Sequence, residues 1–253
     1  MDFLEYYKNN KNNFSYWFPK IKDCGIAVPR SIIVQVPEEV GKAYFMDNRD
    51  KDQETVLNFV KNVIKEHIPK DMFFLFMKNG TFSNKFSFNQ CKVRKDPIEI
   101  TSKLIEMNYS AEMLGAGGLS EVVFREFIGS YHYIDTHIPC IYNGMPLRPE
   151  FRVFYDFDEH KVLYSVNYWD YDYCYDSIAR NITDKIVYIE RYKYIKNFFD
   201  AHQQEVEKMV KNNMHDNNEF TGKWSIDIMY NEEDDTYYLI DMAIAETSAY
   251  WKE

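Results

Sequence analysis

Glycine and cysteine are both scarce in this sequence, and each scarcity excludes a class of protein. Nine Gly stand against 21 Tyr and 19 Phe, which indicates a globular chain with a packed core and excludes a disordered one. The four cysteines (Cys24, Cys91, Cys140 and Cys174) are scattered and form no C-x-x-C pair. This spacing argues against a disulfide framework or a zinc site and predicts a protein of the reducing cytoplasm.

Basic residues and long apolar runs are lacking as well. Lys and Arg total 30 against 40 Asp and Glu, which gives a net charge of −10 and a pI near 5.2. A nucleic-acid partner is therefore not expected, although a local basic pocket for a small phosphate ligand is compatible with this balance. No apolar run approaches the roughly 18 residues of a membrane span. The start of the chain, acidic and then polar, is not typical of a signal peptide.

A β-hairpin with acids inside its strands is the most distinctive stretch. Two runs rich in β-branched and aromatic residues, Lys223–Tyr230 and Thr236–Ala243, flank the acidic turn Asn231–Asp235. Each run places an aspartate among hydrophobic neighbours, at Asp227 and at Asp241. The sequence therefore predicts that the two aspartates belong to neighbouring strands.

The register of this hairpin decides whether the aspartates meet. A turn centred on Asp234 would place Asp227 opposite Asp241 and Tyr230 opposite Tyr238. Directly opposed carboxylates repel each other, and a hard divalent ion such as Mg²⁺, shared with a phosphate ligand, would resolve that repulsion. The alternative is an edge hairpin whose two acids lie in water.

The remaining elements predict an α+β protein. Hydrophobic runs that indicate strands alternate with helical periodicity in the first half of the chain, and antiparallel hairpins follow in the second half. The predicted strands are Ser31–Val36, Met72–Met77, Phe86–Val93, Glu121–Ile128, Pro149–Asp156 and Lys161–Trp169. The predicted helices are Asp50–Ile68, Pro97–Leu114, Asp172–Ala179 and Asp184–Met214.

Two lysines flank a polar loop after the second predicted strand. Lys78 ends this apolar strand, and Lys85 follows seven residues later. A cation at the end of a strand, beside backbone amides released by an irregular loop, suits a phosphate group. A solvated lysine that caps the strand is the alternative.

Charged pairs also interrupt two later strands. Arg125 and Glu126 lie within Glu121–Ile128, where a cross-strand ion pair is the alternative to a functional role. Glu150 and Arg152 share one face of their strand, and arginine suits bidentate contact with carboxylate or phosphate. The set of cations, an apolar strand and two acids matches what a nucleotide triphosphate with metal requires.

These residues resemble the ATP-grasp superfamily. Phe76-Met-Lys78 followed by Lys85-Phe86 is similar to the small ATP-grasp proteins of phages and bacteria, which carry a basic residue, a loop and then Lys-x-Phe. The resemblance covers roughly Met72 to Glu246.

The strand Leu147-Arg-Pro-Glu150-Phe-Arg152-Val-Phe also resembles the cell division cycle protein 123 family. The hairpin Trp224-Ser-Ile-Asp227-Ile with Tyr238-Leu-Ile-Asp241 carries the same resemblance. That family is associated with assembly of a translation-initiation complex. Residues 1–70 would then form a segment before the ATP-grasp domain of residues 71–253, with a hinge near 121–130.

The resemblance implies an ATP-grasp fold, in which two α+β lobes clasp ATP, and it implies a role for each matching residue. Lys78 and Lys85 would contact phosphates, Arg125 would join the nucleotide site, and Arg152 would lie near the γ-phosphate or an acyl phosphate. At the hinge, Glu126, Phe127 and Ile128 would contact adenine. Asp227 and Asp241 would hold Mg²⁺.

The sequence departs from the family at one metal position. The family usually ends this hairpin with acid-x-Asn, and here the sequence is Asp241-Met-Ala243. Alanine cannot bind a metal, so Glu246 is the nearest substitute as a third ligand.

Three functions follow from these expectations. The first is an ATP-dependent ligase that joins a carboxylate to an amine through an acyl phosphate, with Arg152 and Lys85 as catalytic residues and a peptide or protein end among the substrate classes. The second is an ATP-binding assembly protein that does not ligate, which Ala243 favours. The third is an α+β protein without a nucleotide site.

Overall fold

The computed structural model describes residues 10–45, 48–116, 120–129 and 137–252, and these form two compact units. The first unit contains the described residues up to Tyr16 and those from Arg30 to Phe127. The second contains Trp17 to Pro29 and the described residues from Ile128 onward. A short helix, α1 (Phe14–Ile21), includes the boundary between Tyr16 and Trp17.

The first unit is built on a four-stranded antiparallel sheet. The strands run in the order β1-β4-β2-β3, so β4 and β2 are central. The elements of the first unit are β1 (Ser31–Gln35), α2 (Glu38–Ala43), α3 (Arg49–Glu66), β2 (Phe74–Asn79), a 3₁₀ helix (Lys85–Gln90), β3 (Lys92–Arg94), α4 (Pro97–Met113) and β4 (Glu121–Glu126).

The core of this unit lies between one face of the sheet and the helices. Leu75 and Met77 of β2 are fully buried against Val56 and Val60 of α3 and Leu104 of α4. Side chains alternate between the two faces of a strand. The neighbouring positions of β2 therefore point to the opposite face of the sheet, where the cations described below lie.

Helix α4 begins with a local capping arrangement. The Asp96 carboxylate accepts a hydrogen bond from the backbone N–H of Glu99, at 2.7 Å, and Pro97 occupies the first helical position. A capping aspartate followed by proline is favourable because it satisfies an exposed amide and fixes φ in the helical range.

The second unit is built on another antiparallel sheet, in the order β10-β9-β7-β8, and on a long helix. Phe151 of β7 is fully buried and stacks on Phe199 of that helix with ring centroids 5.2 Å apart. The elements of the second unit are β5 (Cys140–Ile141), β6 (Met145–Pro146), β7 (Glu150–Asp156), β8 (Lys161–Asn167), α5 (Tyr171–Ile178), α6 (Ile182–Met214), β9 (Lys223–Asn231), β10 (Thr236–Ile244) and a 3₁₀ turn (Ala245–Thr247).

The segment between α1 and β1 covers the edge strand β10. Ala27 forms a parallel bridge with Tyr238, and the Leu239 N–H donates to the Ala27 carbonyl at 2.9 Å. An uncovered edge strand is prone to pair with another chain, so this segment protects the edge.

The acidic turn of the β9–β10 hairpin is held by two arginines. Arg148 is buried and donates to Glu233 at 2.8 Å, and Arg191 donates to Glu232. Burial lowers the pKa of Arg148, and the charge of Glu233 opposes that effect. The turn acids therefore have a structural role.

Most predicted elements are present, with one clear error. The strand expected at Phe86–Val93 is wrong, because Lys85–Gln90 is a 3₁₀ helix and strand β3 begins only at Lys92. The break at residues 115–118 falls partly on Gly117 and Gly118, which lie outside the described residues.

Residues on both sides of position 70 belong to the first unit. The division into residues 1–70 and 71–253, with a hinge near 121–130, stays a prediction. Among the described residues, no helix combines the length and the apolar character needed to cross a bilayer.

Candidate functional site

Three cations lie on the face of the first sheet that points away from the α3–α4 core. In the register of the strands, Phe76 of β2 faces Arg125 of β4 on one side and Lys92 of β3 on the other. Lys78 follows two residues after Phe76 and so shares its face. We call Lys78, Lys92 and Arg125 the cationic face; they are 2%, 7% and 6% exposed, respectively.

Aromatic rings support these cations. Lys78 Nζ lies 5.6 Å and Arg125 Cζ 5.5 Å from the centroid of Phe14, which places the two charged groups no more than about 11 Å apart. Lys92 Nζ lies 5.2 Å from the centroid of Phe127. Cation–π contacts of this kind attract a cation to the face of a ring and help to hold it in place. The cationic face therefore presents positive charge in a poorly solvated setting, which suits an anion.

The pKa of the Cys91 thiol depends on burial and on the charges of nearby lysines. Burial raises the pKa of Cys91 to about 12, and the charges of Lys78, Lys103 and Lys85 act in the opposite direction. Lys78 and Lys85, which the sequence proposed as a pair, therefore both lie within electrostatic reach of one thiol. Lys85 begins the 3₁₀ helix and is half-buried.

The residues proposed for adenine contact end strand β4. The Glu126 N–H donates to the Arg30 carbonyl at 2.8 Å, and the Phe127 N–H donates to the Phe74 carbonyl at 3.3 Å. These two amides are thus committed to the sheet, and contact of Glu126, Phe127 and Ile128 with adenine stays a prediction. The Glu126 side chain forms a bidentate ion pair with Arg30, and these hydrogen bonds lower the pKa of Glu126.

In the second unit, Arg152 and Asp227 form a bidentate ion pair. They face each other on β7 and β9, and Arg152 Nε and Nη2 donate to the two carboxylate oxygens of Asp227 at 2.8 and 2.7 Å. Their side chains are 12% and 6% exposed. Burial lowers the pKa of Arg152, but the charge and hydrogen bonds of Asp227 raise it by more, so the guanidinium stays charged.

The predicted opposition of Asp227 and Asp241 is confirmed, by a different route from the one expected. Near the turn, Tyr230 faces Tyr237, and Tyr238 faces Met229, so the expected Tyr230–Tyr238 pair is wrong. A β-bulge between Leu239 and Asp241 adds one residue to β10 and moves the register by one position. The bulge is what brings the two aspartates opposite each other.

The three proposed metal ligands are not gathered into one group. Glu246 lies exposed on the 3₁₀ turn after β10, and in the described part of the chain no cluster of three or more His, Cys, Asp or Glu is arranged to hold a metal. Two opposed carboxylates remain, and Mg²⁺ is commonly bound by one or two carboxylates together with phosphate oxygens and water. The carboxylates of Asp227 and Asp241 are therefore ligands of a type that Mg²⁺ accepts. The roles of Asp227, Asp241 and Glu246 as metal ligands stay a prediction.

Lys92 is not among the residues that the sequence predicts for the site. Lys92 lies inside Phe86–Val93, which the sequence predicts as one strand, and its place beside Phe76 depends on the pairing of β3 with β2. The available signal was its alternation with Cys91 and Val93, both fully buried. The Arg152–Asp227 pair was also missed, although both residues had been proposed for the site.

No protein-family model and no curated protein matches the sequence. Among solved structures, C-terminally truncated Cdc123 from Schizosaccharomyces pombe is similar, with a TM-score of 0.52 and 13% identity over 94% of this chain and 86% of the truncated Cdc123 chain. The ATP-grasp ligase PsnB, complexed with precursor peptide PsnA2 and AMPPNP, has a TM-score of 0.34 and 12% identity over 92% of this chain and 50% of PsnB. D-alanyl-alanine synthetase A from Vibrio cholerae O1 biovar eltor has a TM-score of 0.34 and 10% identity over 92% of this chain and 55% of the synthetase.

The likeness to Cdc123, at 13% identity, shows the fold alone. At that level the predicted resemblance is confirmed. The chain has an α+β fold shared with Cdc123, and ATP-grasp ligases are among its structural neighbours.

Proposed function

We propose that the protein binds ATP with Mg²⁺ and uses it to join a carboxylate to an amine. The observation that carries this proposal is the cationic face of the first unit. Lys78, Lys92 and Arg125 are buried on one face of a sheet and rest on aromatic rings. Preorganised cations in a poorly solvated site are the standard means of holding a triphosphate.

The first unit would bind the nucleotide. The three cations of the cationic face and Lys85 would contact phosphate oxygens, and Phe127 with the carbonyl groups at the end of β4 would contact the base. Lys92 adds a third buried positive charge to Lys78 and Arg125, which the sequence predicts for the site.

The second unit would hold Mg²⁺. Asp241 would be the first ligand of Mg²⁺, because both oxygens of Asp227 already accept hydrogen bonds from Arg152. Asp227 would be the second ligand through its remaining lone pairs. The ion, when bound, neutralises charge on phosphate oxygens.

The proposed chemistry balances without a further reactant. A carboxylate oxygen attacks the γ-phosphorus, the bond to the β–γ bridging oxygen breaks, and ADP leaves. The amine then attacks the acyl carbon of the acyl phosphate, inorganic phosphate leaves, and the amine loses its extra proton to solvent. Arg152 would stabilise the negative charge on the acyl phosphate, as guanidinium groups do for planar or tetrahedral oxyanions.

Nucleotide binding is tested by thermal unfolding with MgATP. At about 100 times Kd, binding stabilises the folded state by about 2.7 kcal/mol, which for a chain of this size raises Tm by about 5–11 °C. Lys78→Met should abolish most of this shift. Lys42→Met, on the exposed surface of α2, is the matched control and should keep it. A wild-type protein whose Tm does not respond to MgATP contradicts the nucleotide site.

Ligation is tested by ADP release from the wild-type protein, with amino acids and short peptides as added substrates. Release that requires an added carboxylate and amine supports the ligase, and Asp241→Asn should reduce that release more than it weakens ATP binding. Bound ATP without turnover across such a panel contradicts ligation while leaving nucleotide binding intact.

A second candidate is an ATP-binding assembly protein that does not ligate. Two observations favour it: Ala243 stands where a further metal ligand is expected, and the Arg152–Asp227 pair uses both oxygens of one proposed metal ligand. A protein partner whose binding requires ATP and proceeds equally with a non-hydrolysable analogue would establish this function in place of the ligase.

A further inference from the structure

The segment Ser248–Lys252, which we call the strap, crosses one face of the second sheet. It follows the 3₁₀ turn after β10. Its contacts run from Ser225 of β9 to Phe154 of β7 and Tyr164 of β8, all within the second unit. This face, which we call the polar face, carries Asp241 of β10, Ser225 and Asp227 of β9, Arg152 and Phe154 of β7, and Tyr164 of β8.

The polar face contacts the main chain of the strap. Arg152 Nη1 donates to the Ala249 carbonyl at 3.3 Å, and the Tyr164 hydroxyl donates to the Tyr250 carbonyl at 3.2 Å. The same hydroxyl accepts from the Lys252 N–H at 2.7 Å. Contacts to the main chain depend on no particular side chain, so another polypeptide segment could make them.

Two aromatic residues of the strap lie against aromatic neighbours in the second unit. Trp251 packs on Phe154, at 5.3 Å between ring centroids, and stacks on Tyr164 at 6.3 Å. The Tyr250 ring lies 4.3 Å from that of Tyr173.

Polar contacts also hold the side chains of Tyr250 and Ser248. The Tyr250 hydroxyl donates to the Tyr168 carbonyl at 2.8 Å. Ser248 Oγ lies 2.6 Å from Ser225 Oγ. These contacts, with the two aromatic ones, would select small residues followed by two aromatic residues.

Two local features of the strap are unfavourable in its docked state. Tyr250 has φ of 69°, a left-handed conformation that non-glycine residues rarely adopt. The indole N–H of Trp251 is buried and has no hydrogen-bond acceptor among the described residues. Both features disfavour the docked state relative to a released strap, which makes exchange with an external ligand easier.

We infer that the strap is an intramolecular ligand that occupies a groove for a polypeptide segment. The segment that binds in its place would present a backbone carbonyl to Arg152 and two consecutive aromatic side chains to the positions of Tyr250 and Trp251. This inference deepens the proposed function, because it names a polypeptide as the substrate class of the face that carries Arg152. It predicts that the strap must leave this face before such a segment binds.

The test uses a fluorescein-labelled peptide with the strap's own sequence, Ser-Ala-Tyr-Trp-Lys, in the absence of nucleotide. A chain that ends at Thr247 should bind this peptide, and fluorescence anisotropy measures the affinity. The full chain should bind at least ~10-fold more weakly, because its own strap competes. A control peptide with alanine in place of both aromatic residues should lose at least ~10-fold in affinity.

A shortened chain that unfolds cooperatively in urea, like the full chain, and yet does not bind the peptide would overturn the inference. Equal affinity of the full and shortened chains would overturn it too. Since no nucleotide is present, either result leaves ATP binding untouched.

A second variant keeps the test decisive if the shortened chain does not fold. The full chain with Tyr250→Ala and Trp251→Ala retains the backbone of the strap but loses both of its aromatic contacts. It should bind the labelled peptide at least ~10-fold more tightly than the unchanged full chain, because the competing strap is weakened. Unchanged affinity in this variant would show that the strap does not compete, and it would refute the inference.

Discussion

Replacing Asp227 with asparagine should strongly destabilise the second unit. The Arg152 side chain is 12% exposed, and its Nε and Nη2 donate to the two oxygens of Asp227 at 2.8 and 2.7 Å. Asparagine has nearly the same shape but no charge, so the buried guanidinium would lose its charge-balancing partner. The substitution therefore isolates the electrostatic part of the contact.

The magnitude follows from burial on both sides of the pair. Removing one partner of a buried ion pair costs about 3–5 kcal/mol, because the remaining charge stays desolvated. For a chain of this length, the loss corresponds to a Tm lower by about 6–20 °C. Replacing both partners with apolar residues, as Arg152→Met with Asp227→Leu, should recover most of the loss, since neither charge is then buried.

Urea-induced unfolding, followed by tryptophan fluorescence and far-UV circular dichroism, gives the free energy of unfolding for each variant. Lys42→Met is the control, since its ion pair with Glu38 is exposed on a helix and should contribute less than about 0.5 kcal/mol. A cost below about 1 kcal/mol for Asp227→Asn would contradict a stabilising ion pair. So would a double variant that loses as much stability as the two single variants combined.

Three further predictions follow from the same structure. Lys92→Met should weaken MgATP binding about as much as Lys78→Met does, measured by calorimetry; unchanged affinity would show that Lys92 is structural. Burial raises the pKa of Cys91 to about 12, so native protein at pH 8 should resist alkylation at Cys91, whereas urea-unfolded protein should react, as peptide mass mapping detects. The pKa of Cys91 is higher in the folded protein than in the unfolded chain, where it is about 8.5. Its contribution to folding stability is therefore fully present below that unfolded pKa and is lost as the pH rises towards the folded pKa. Deleting Ile240 should remove the bulge and keep Asp227 opposite Asp241, with little change in the free energy of unfolding measured in urea. Deleting Met242 should lower that free energy more, because the residues after it move to the other face of the sheet.

The elements were predictable where the hydrophobic pattern is local. Helix α4 carries its own start signal, Asp96 followed by Pro97, and its predicted bounds differ from the observed ones by one residue at the C-terminal end. The strand predicted at Phe86–Val93 failed because its aromatic residues serve a 3₁₀ helix, in which Phe88 is buried and Phe86 is exposed. A short apolar run does not distinguish the two.

The candidate site was predictable in its residue types and less so in its pairings. The sequence proposed Arg152 and Asp227 separately, one for phosphate and one for metal. Their contact depends on β7 pairing with β9, although helices α5 and α6 and strand β8 come between these strands in the chain. Local periodicity carries no information about such long-range pairing. The same limit hid Lys92, whose position depends on its neighbour Phe76 in β2.

The bulge in β10 did leave a trace in the sequence. Leu239 is buried on one side of the bulge and Met242 on the other, so the alternation of buried positions changes from odd to even numbers. Read without that change of phase, the hairpin gives a wrong partner for Tyr230 even when it gives the right one for Asp227. Apolar positions on either side of Ile240 therefore contained the information that the turn-based argument lacked.

The same bulge divides the β9–β10 hairpin into two segments whose alignments are set separately. Beyond it, towards the turn, the alignment follows the four-residue loop and the arginines that hold Glu232 and Glu233. Before it, the alignment follows the packing of Met242 against Ile226, and the aspartates belong to this segment. The extra residue thus acts as a spacer, so changes in the length of the loop can be absorbed there. A change in the length of the loop therefore need not change the distance between the two carboxylates.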